Sequence, residues 1–377
     1  DLEWILFQRR RLDPAVLQAR LREAAAAVKP DLDFGTSLAY QGLGSLQITA
    51  LSAALQPYFP GLAPQDFYRH KTIQSLIDGY RAARPSGAAP RRTAGAAAAE
   101  VVVAGMSCRF PAAAETLTQF WQSLMAGADQ VRPDVNRGAS AAGYLSEAAS
   151  RFDHHYFQIS AAEARTMDPQ QILALELTEM LWRDAGIDPE TLDRQRVGVY
   201  LGVWNQEYRG DRASVYYPTG TNPSLVAARI SYHYDLRGPS WVSNTACSSS
   251  LVAVHYAAQD IAAGRIDFAV AGGVNMLLDE VFTDSMRQAG FLSADDRCKA
   301  FDDSANGYVR AEGGGLVLLA NKALVERYYA TLAGSAVNQN GRRPQLISAP
   351  HPEAQEELIL AACEDASAPP DEPAGPD

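Results

Sequence analysis

Apolar positions change their spacing twice between residues 242 and 273. They first recur at intervals of three and four, as on one face of a helix, at Leu251, Val254, Ala258 and Ile261. Gly264 lies where that helix would end. The next segment, IDFAVAGG, is a short apolar run closed by glycines, which predicts a buried strand. A cysteine directly precedes the predicted helix.

That cysteine, Cys247, has only small neighbours: Thr245, Ala246, Ser248, Ser249 and Ser250. A helix N-terminus carries partial positive charge and unpaired backbone N–H groups, and both favour the nucleophilic thiolate. Small neighbours permit a tight turn that leaves the sulfur open to a substrate. The competing interpretation is a buried structural cysteine, because cysteine is among the most buried residue types.

The same spacings predict an α/β chain with helices at its N-terminal end. A buried strand is predicted to begin at Val101, and another spans 197–202. Inside residues 152–189 lies a long helix whose apolar face comprises Leu173, Leu175, Leu177, Met180 and Leu181. Three helical segments, at 15–28, 42–59 and 72–83, precede the first strand.

Composition divides the chain into two domains. Residues 83–99 are rich in Pro, Gly and Ala and have no amphipathic period, which indicates a flexible linker. A helical domain of residues 1–82 and a larger domain of residues 100–377 lie on either side. The first 13 residues could be the tail of a preceding domain. Because the chain begins at Asp1, we expect it to be a piece of a longer protein.

Composition and charge exclude several classes of function. The chain has 47% hydrophobic and 20% charged residues, as in ordinary globular proteins. A net charge of −11 argues against non-specific nucleic-acid binding. Its 4 cysteines lie far apart without a C-x-x-C pair, which excludes a disulfide framework or zinc site and indicates a cytoplasmic protein. No apolar segment is long enough to span a bilayer, and no signal peptide is visible in the sequence.

Two other candidate sites are rejected on spacing. Dinucleotide binding would require G-x-G-x-x-G after the first strand, where only Gly105 is present. His154 and His155 are adjacent, and neighbouring side chains rarely converge on one ion without other ligands, so no metal site is predicted. His255 lies on the helix of Cys247, about 12 Å along its axis, too far to act at the sulfur.

Several of these segments resemble the β-ketoacyl synthase domains of type I polyketide synthases. SNTACSSSLVAVHYA resembles the nucleophile motif, with RISYHYDLRGPS before it and IDFAVAGGVN after it. VVVAGMSCRFP and GFLSADDRCKAFDDSANGYVRAEGGG resemble two further stretches. The resemblance implies a thiolase-type layered α/β/α fold, a homodimer, and Cys247 as the carrier of the acyl chain. Cys108 would be structural, Cys298 would not be a nucleophile, and Asn244 stands where the family usually has aspartate.

The N-terminal domain is similar to acyl carrier proteins. Ser45, in YQGLGSLQ, matches the serine that carries the phosphopantetheine arm, and FYRHKTIQSLIDGY resembles the closing carrier segment. The resemblance implies 4′-phosphopantetheine on Ser45, whereas a serine at a helix start is otherwise most often a simple cap. Gly44 replaces the usual aspartate, and no acidic residue follows through Phe59, which would weaken electrostatic steering of partners.

Together the resemblances imply polyketide chain extension. An acyl chain on a carrier domain would pass to Cys247 and condense with a malonyl-type unit, supplied by an acyltransferase that is either fused or separate. The family's two histidine motifs, H-G-T-G-T and N-x-K-x-x-x-G-H, do not occur here. We therefore expect that a C-terminal half and parts of two internal stretches are left out of this chain. The alternatives are a ketosynthase that only passes acyl groups and a docking or dimerisation scaffold without turnover.

Overall fold

A computed structural model describes residues 22–35, 45–56, 67, 72–75, 99–111, 114–134, 141–146, 152–344 and 347–367. The chain divides into two compact units, residues 1–91 and 92–377. The possible N-terminal tail, nearly all of the predicted linker and the side chain of Ser45 lie outside the described residues.

The first unit contains helix α1, Ser45–Leu55, inside the segment predicted to be helical. Helical residues also occur at 22–26 and 73–75, within the two other predicted segments. One cluster of buried apolar side chains joins these pieces: Ala25, Phe34, Ile48, Leu51, Leu55, Phe67 and Ile73. Their assignment to a carrier domain stays a prediction.

The second unit is built on a mixed six-stranded sheet in the order β5-β4-β6-β7-β1-β8. Its strands are β1 Val101–Arg109, β4 Val197–Gly202, β5 Ser240–Ser243, β6 Phe268–Asn275, β7 Gly313–Asn321 and β8 Ala330–Thr331. β4 pairs in parallel with β5 and β6, and the remaining pairs are antiparallel. A separate short ladder joins β2 Arg132–Pro133 and β3 Ala141–Ala142.

Helices cover both faces of this sheet. The helices of this unit, within the described residues, are α2 Leu117–Met125, α3 Ala161–Ala164, α4 Pro169–Ala185, α5 Tyr217–Thr221, α6 Ser224–His233, α7 Ser249–Ala262, α8 Glu280–Gln288 and α9 Pro352–Asp365. α4 and α6 pack on one face and α7 on the other. Within the described residues, no helix is long and apolar enough to cross a membrane.

Successive side chains along a strand pack alternately into two apolar cores, one on each face of the sheet. On β4, Val199 and Leu201 join the cluster under α4 and α6, while Tyr200 joins the cluster under α7. This period of two is what a strand buried on both faces requires. The expected α/β/α layering is confirmed.

Glycines let the first turn of α7 lie directly on the strand ends. A Cβ at Gly202, the last residue of β4, would come within 2.4 Å of the backbone nitrogen of Ser250. At Gly273 on β6, a Cβ would lie 2.9 Å from the Ser250 Cβ. The helix N-terminus therefore lies at the carboxyl ends of the parallel strands, where ligand crevices form in α/β sheets.

Candidate active site

Cys247 lies on a sharp turn between β5 and α7. Ala246–Ser248 form a single turn of 3₁₀ helix, and the backbone of Ala246 has φ of 56°, a left-handed conformation uncommon outside glycine. The Ser249 hydroxyl fixes this turn, because its oxygen accepts from the Thr245 N–H at 2.9 Å and its O–H donates to the Ala246 carbonyl at 2.6 Å. The strained turn leaves the Cys247 side chain exposed, as the small neighbours predict.

Asn244 connects the turn to the loop after β4. Its side-chain oxygen accepts from the Ala246 N–H at 3.3 Å. Its amide nitrogen donates to the Trp204 carbonyl at 3.4 Å. An aspartate, which the family usually has here, could make the first contact but has no N–H for the second.

An open cavity of about 500 Å³ extends from the Cys247 sulfur. The ends of β4, β6 and β7 form its floor, largely through glycines, which bring backbone close to any bound group. Its side-chain walls come from Phe110, Pro111, Trp204 and Asn275. Glycine floor and apolar wall together suit an extended, mostly apolar ligand bound end-on to the sulfur.

Glu312 also lines this cavity, but its carboxylate holds the surrounding backbone. One oxygen accepts from the Leu145 N–H at 2.9 Å and the other from the Leu277 N–H at 3.3 Å. The residue is 3% exposed. A buried carboxylate with these partners stabilises the chain segments around the cavity.

Sequence reasoning missed a buried ion pair beside the cavity. Arg310 donates to the Glu207 carboxylate, and the side chains are 3% and 5% exposed. Charged residues this buried are rare unless paired. No local sequence pattern joins two residues 103 positions apart.

The other candidate residues lie away from the cavity. Cys108 is buried in β1, and this burial raises the pKa of its thiol. Cys298 is exposed, and Cys363 is half-buried. His255 is hydrogen-bonded through Nδ1 to the Ser335 hydroxyl at 2.8 Å, and His154 through Nδ1 to the Ile159 carbonyl at 2.7 Å.

Among the described residues, no three His, Cys, Asp or Glu side chains are grouped so that they could hold an ion.

A comparison with models of protein families shows which family this chain belongs to. Residues 98–324 match the family described as "Beta-ketoacyl synthase, N-terminal domain". The chain belongs to the β-ketoacyl synthase family. The matched span contains strands β1 to β7, helices α4, α6 and α7, and the turn that carries Cys247.

Similar proteins are polyketide synthases. One of them, from the phenolphthiocerol/phthiocerol polyketide synthase of Mycobacterium tuberculosis, is 38% identical over 379 aligned positions, covering 92% of this chain and 20% of that protein. A 6-methylsalicylic acid synthase of Penicillium terrestre is 38% identical over 70% of this chain and 16% of its own length. The chain thus spans about a fifth or less of these relatives.

Solved ketosynthase structures share the fold. The oxazolomycin ketosynthase domain of Streptomyces albus aligns with a TM-score of 0.66 and 34% identity, covering 71% of this chain and 52% of that domain. The ketosynthase from module 6 of the Bacillus subtilis bacillaene synthase gives 0.66 and 35%, over 71% and 48%. These matches confirm the thiolase-type ketosynthase fold.

Thiol reactivity tests the geometry of the turn. We expect limited alkylation at neutral pH to label Cys247 first, because it alone combines exposure with a helix N-terminus. Cys108 should react last, since its raised pKa leaves less thiolate at any given pH. Peptide mapping by mass spectrometry reports the order, and exposed Cys298 is the internal control. Preferential labelling of Cys298, Cys363 or Cys108 would contradict this account.

Proposed function

We propose that this chain is a segment of a polyketide synthase in which Cys247 accepts an acyl chain from a carrier thioester. The observation that carries the proposal is an exposed cysteine on a strained turn at a helix N-terminus, open to an apolar cavity of about 500 Å³. Membership of the β-ketoacyl synthase family agrees with this chemistry.

Transfer to the sulfur needs few groups. The Cys247 thiolate attacks the thioester carbonyl, the tetrahedral intermediate expels the carrier thiolate, and a proton taken from solvent restores the carrier thiol. Helix α7 begins at Ser249, two residues after Cys247, so the partial positive charge of its N-terminus favours negative charge that develops beside the sulfur. Covalent transfer of this kind divides one difficult step into two easier ones.

Condensation with a malonyl-type unit is the further step of the proposal. Decarboxylation creates an enolate, whose oxygen must be stabilised by donors placed beforehand. His255 is engaged with Ser335 and does not line the cavity, and the family's two histidine motifs are not in this sequence. The condensing step is therefore assigned to a longer protein that contains this segment. No observation favours the transfer-only or scaffold alternatives.

For the first unit we propose a carrier domain with 4′-phosphopantetheine on Ser45. Helix α1 begins at Ser45, which is where the carrier motif places its serine. Residues 92–377 make up about three quarters of the chain, so a similarity to the mycobacterial synthase that covers 92% of it extends into the first unit. An acyltransferase domain and a second copy of the ketosynthase complete the proposed partners.

Separate measurement of the two half-reactions tests the proposed function. We expect the 377-residue chain to gain one acyl group from a simple acyl thioester, and Cys247→Ala to gain none. Cys298→Ala, which removes another exposed thiol, should behave as the unchanged chain. No β-keto product should form with malonyl-loaded carrier until a segment with both histidine motifs is supplied. Condensation by the 377-residue chain alone would contradict this division.

Carrier function is tested by intact mass after incubation with coenzyme A and a phosphopantetheinyl transferase. We expect the mass increase of one phosphopantetheine arm, lost in Ser45→Ala. Ser52→Ala, a change on the same helix, is the matched control and should still be modified. An arm that attaches when Ser45 is replaced would refute the assignment.

A further inference from the structure

We propose that Trp204 determines acyl specificity at the Cys247 site and disfavours acyl groups branched at the carbon next to the thioester. The proposal rests on acyl transfer to Cys247 and adds the class of acyl group that the site prefers. It depends on where the Trp204 ring lies and on how firmly it is held.

Trp204 lies in the loop after β4, which borders the Cys247 cavity. It follows the last residue of β4 by two positions and lines the cavity together with Cys247. Its carbonyl accepts a hydrogen bond from Asn244, three residues before Cys247 in the strained turn. An acyl group on the sulfur therefore has its first carbons beside this aromatic wall.

Phe282 and Arg310 support the wall from behind. The Phe282 ring meets the Trp204 ring edge to face, with centroids 6.0 Å apart and planes at 77°. The Arg310 guanidinium lies over the Phe282 ring, 5.0 Å from its centroid. Such aromatic and cation–π contacts fix ring orientation. Phe282, itself covered by Arg310, therefore packs against the Trp204 ring and leaves it little room to move.

A buried network of charged and polar groups holds Phe282 and Arg310 in place. Arg310 pairs with Glu207 and also donates to the Thr283 hydroxyl at 2.6 Å. The second oxygen of Glu207 accepts from the N–H groups of Leu278 and Asp279, at 2.8 and 2.9 Å. Disturbing one member would leave a buried charge unpaired, which is strongly unfavourable. The network thus holds the loop after β4 against the start of α8.

Both neighbours of Trp204 in the chain are anchored as well. The Val203 N–H donates to the Ser243 carbonyl at 3.0 Å. The Asn205 side-chain amide donates to the Asn275 side-chain oxygen at 2.7 Å, and the Asn205 backbone carbonyl accepts from the Gln170 side-chain amide at 2.9 Å. These hydrogen bonds restrict movement of the loop that carries the Trp204 indole.

A fixed wall discriminates by volume. A straight acyl chain can extend past the ring, whereas in this proposal a methyl branch beside the carbonyl competes with the ring for space. One additional methyl group in a packed apolar pocket changes selectivity by about 10- to 200-fold. Asn244 contributes because its amide donates to the Trp204 carbonyl, where an aspartate would place negative charge against that oxygen.

Competition between two acyl thioesters tests the proposal. Butyryl and 2-methylbutyryl thioesters of N-acetylcysteamine are offered to the 377-residue chain, and initial rates of Cys247 acylation are read by intact mass. We expect the straight chain to react at least about tenfold faster. In Trp204→Ala and Trp204→Leu the ratio should fall towards one because the branched rate rises. Trp121→Ala, on an exposed tryptophan of α2, is the matched control and should keep the original ratio.

Asn244→Asp provides an independent test that leaves the wall itself unchanged. Loss of the donor to Trp204 should lower the ratio part of the way. Equal rates for both substrates in the unchanged chain, or a ratio that stays the same in both Trp204 variants while Cys247 is still acylated, would overturn the specificity proposal alone. Failure of the unchanged chain to be acylated by either thioester would instead overturn the proposed function.

Discussion

The contact between the first turn of α7 and the glycine ends of β4 and β6 is the constraint on which the site depends. Any side chain at Gly202 would collide with the helix backbone, so the helix N-terminus can reach the sheet only over glycine. The chain must then turn sharply from β5 into α7, and Ala246 adopts a left-handed conformation to do so. Such strain persists only where surrounding contacts enforce it. Here those contacts are the hydrogen bonds of Ser249 and Asn244.

The Glu207–Arg310 pair extends this constraint to the cavity wall. Burying two charges costs desolvation energy that their attraction only partly offsets, whereas removing one partner costs about 3–5 kcal/mol. A buried pair is therefore weak evidence for added stability. Its effect here is geometric, because the two side chains join the loop after β4, the start of α8 and the segment before β7. The same network supports the Trp204 ring, which lines the cavity together with Cys247.

Local pattern was enough to predict the elements and the tight turn at Cys247, but not the contacts that shape the site. β4 was predicted from the apolar run VGVYLG, and α7 ends before Gly264, which has φ of 67°. Small residues around Cys247 indicated a tight turn, which the structure confirms. The bond from Asn244 to Trp204 spans 40 positions, and no spacing rule anticipates it. Glu207 and Arg310 are paired only by the fold, which brings their two loops together.

A crystal structure of the chain acylated on Cys247 with a straight-chain group tests the central claim most directly. The measured quantity is the position of the acyl carbons relative to the cavity walls. The account predicts a thioester on the Cys247 sulfur with the chain extending through the cavity between Trp204 and Phe110 over the glycine floor. An acyl chain that leaves the sulfur along another surface, or a Trp204 ring displaced from Phe282 to admit it, would contradict the account.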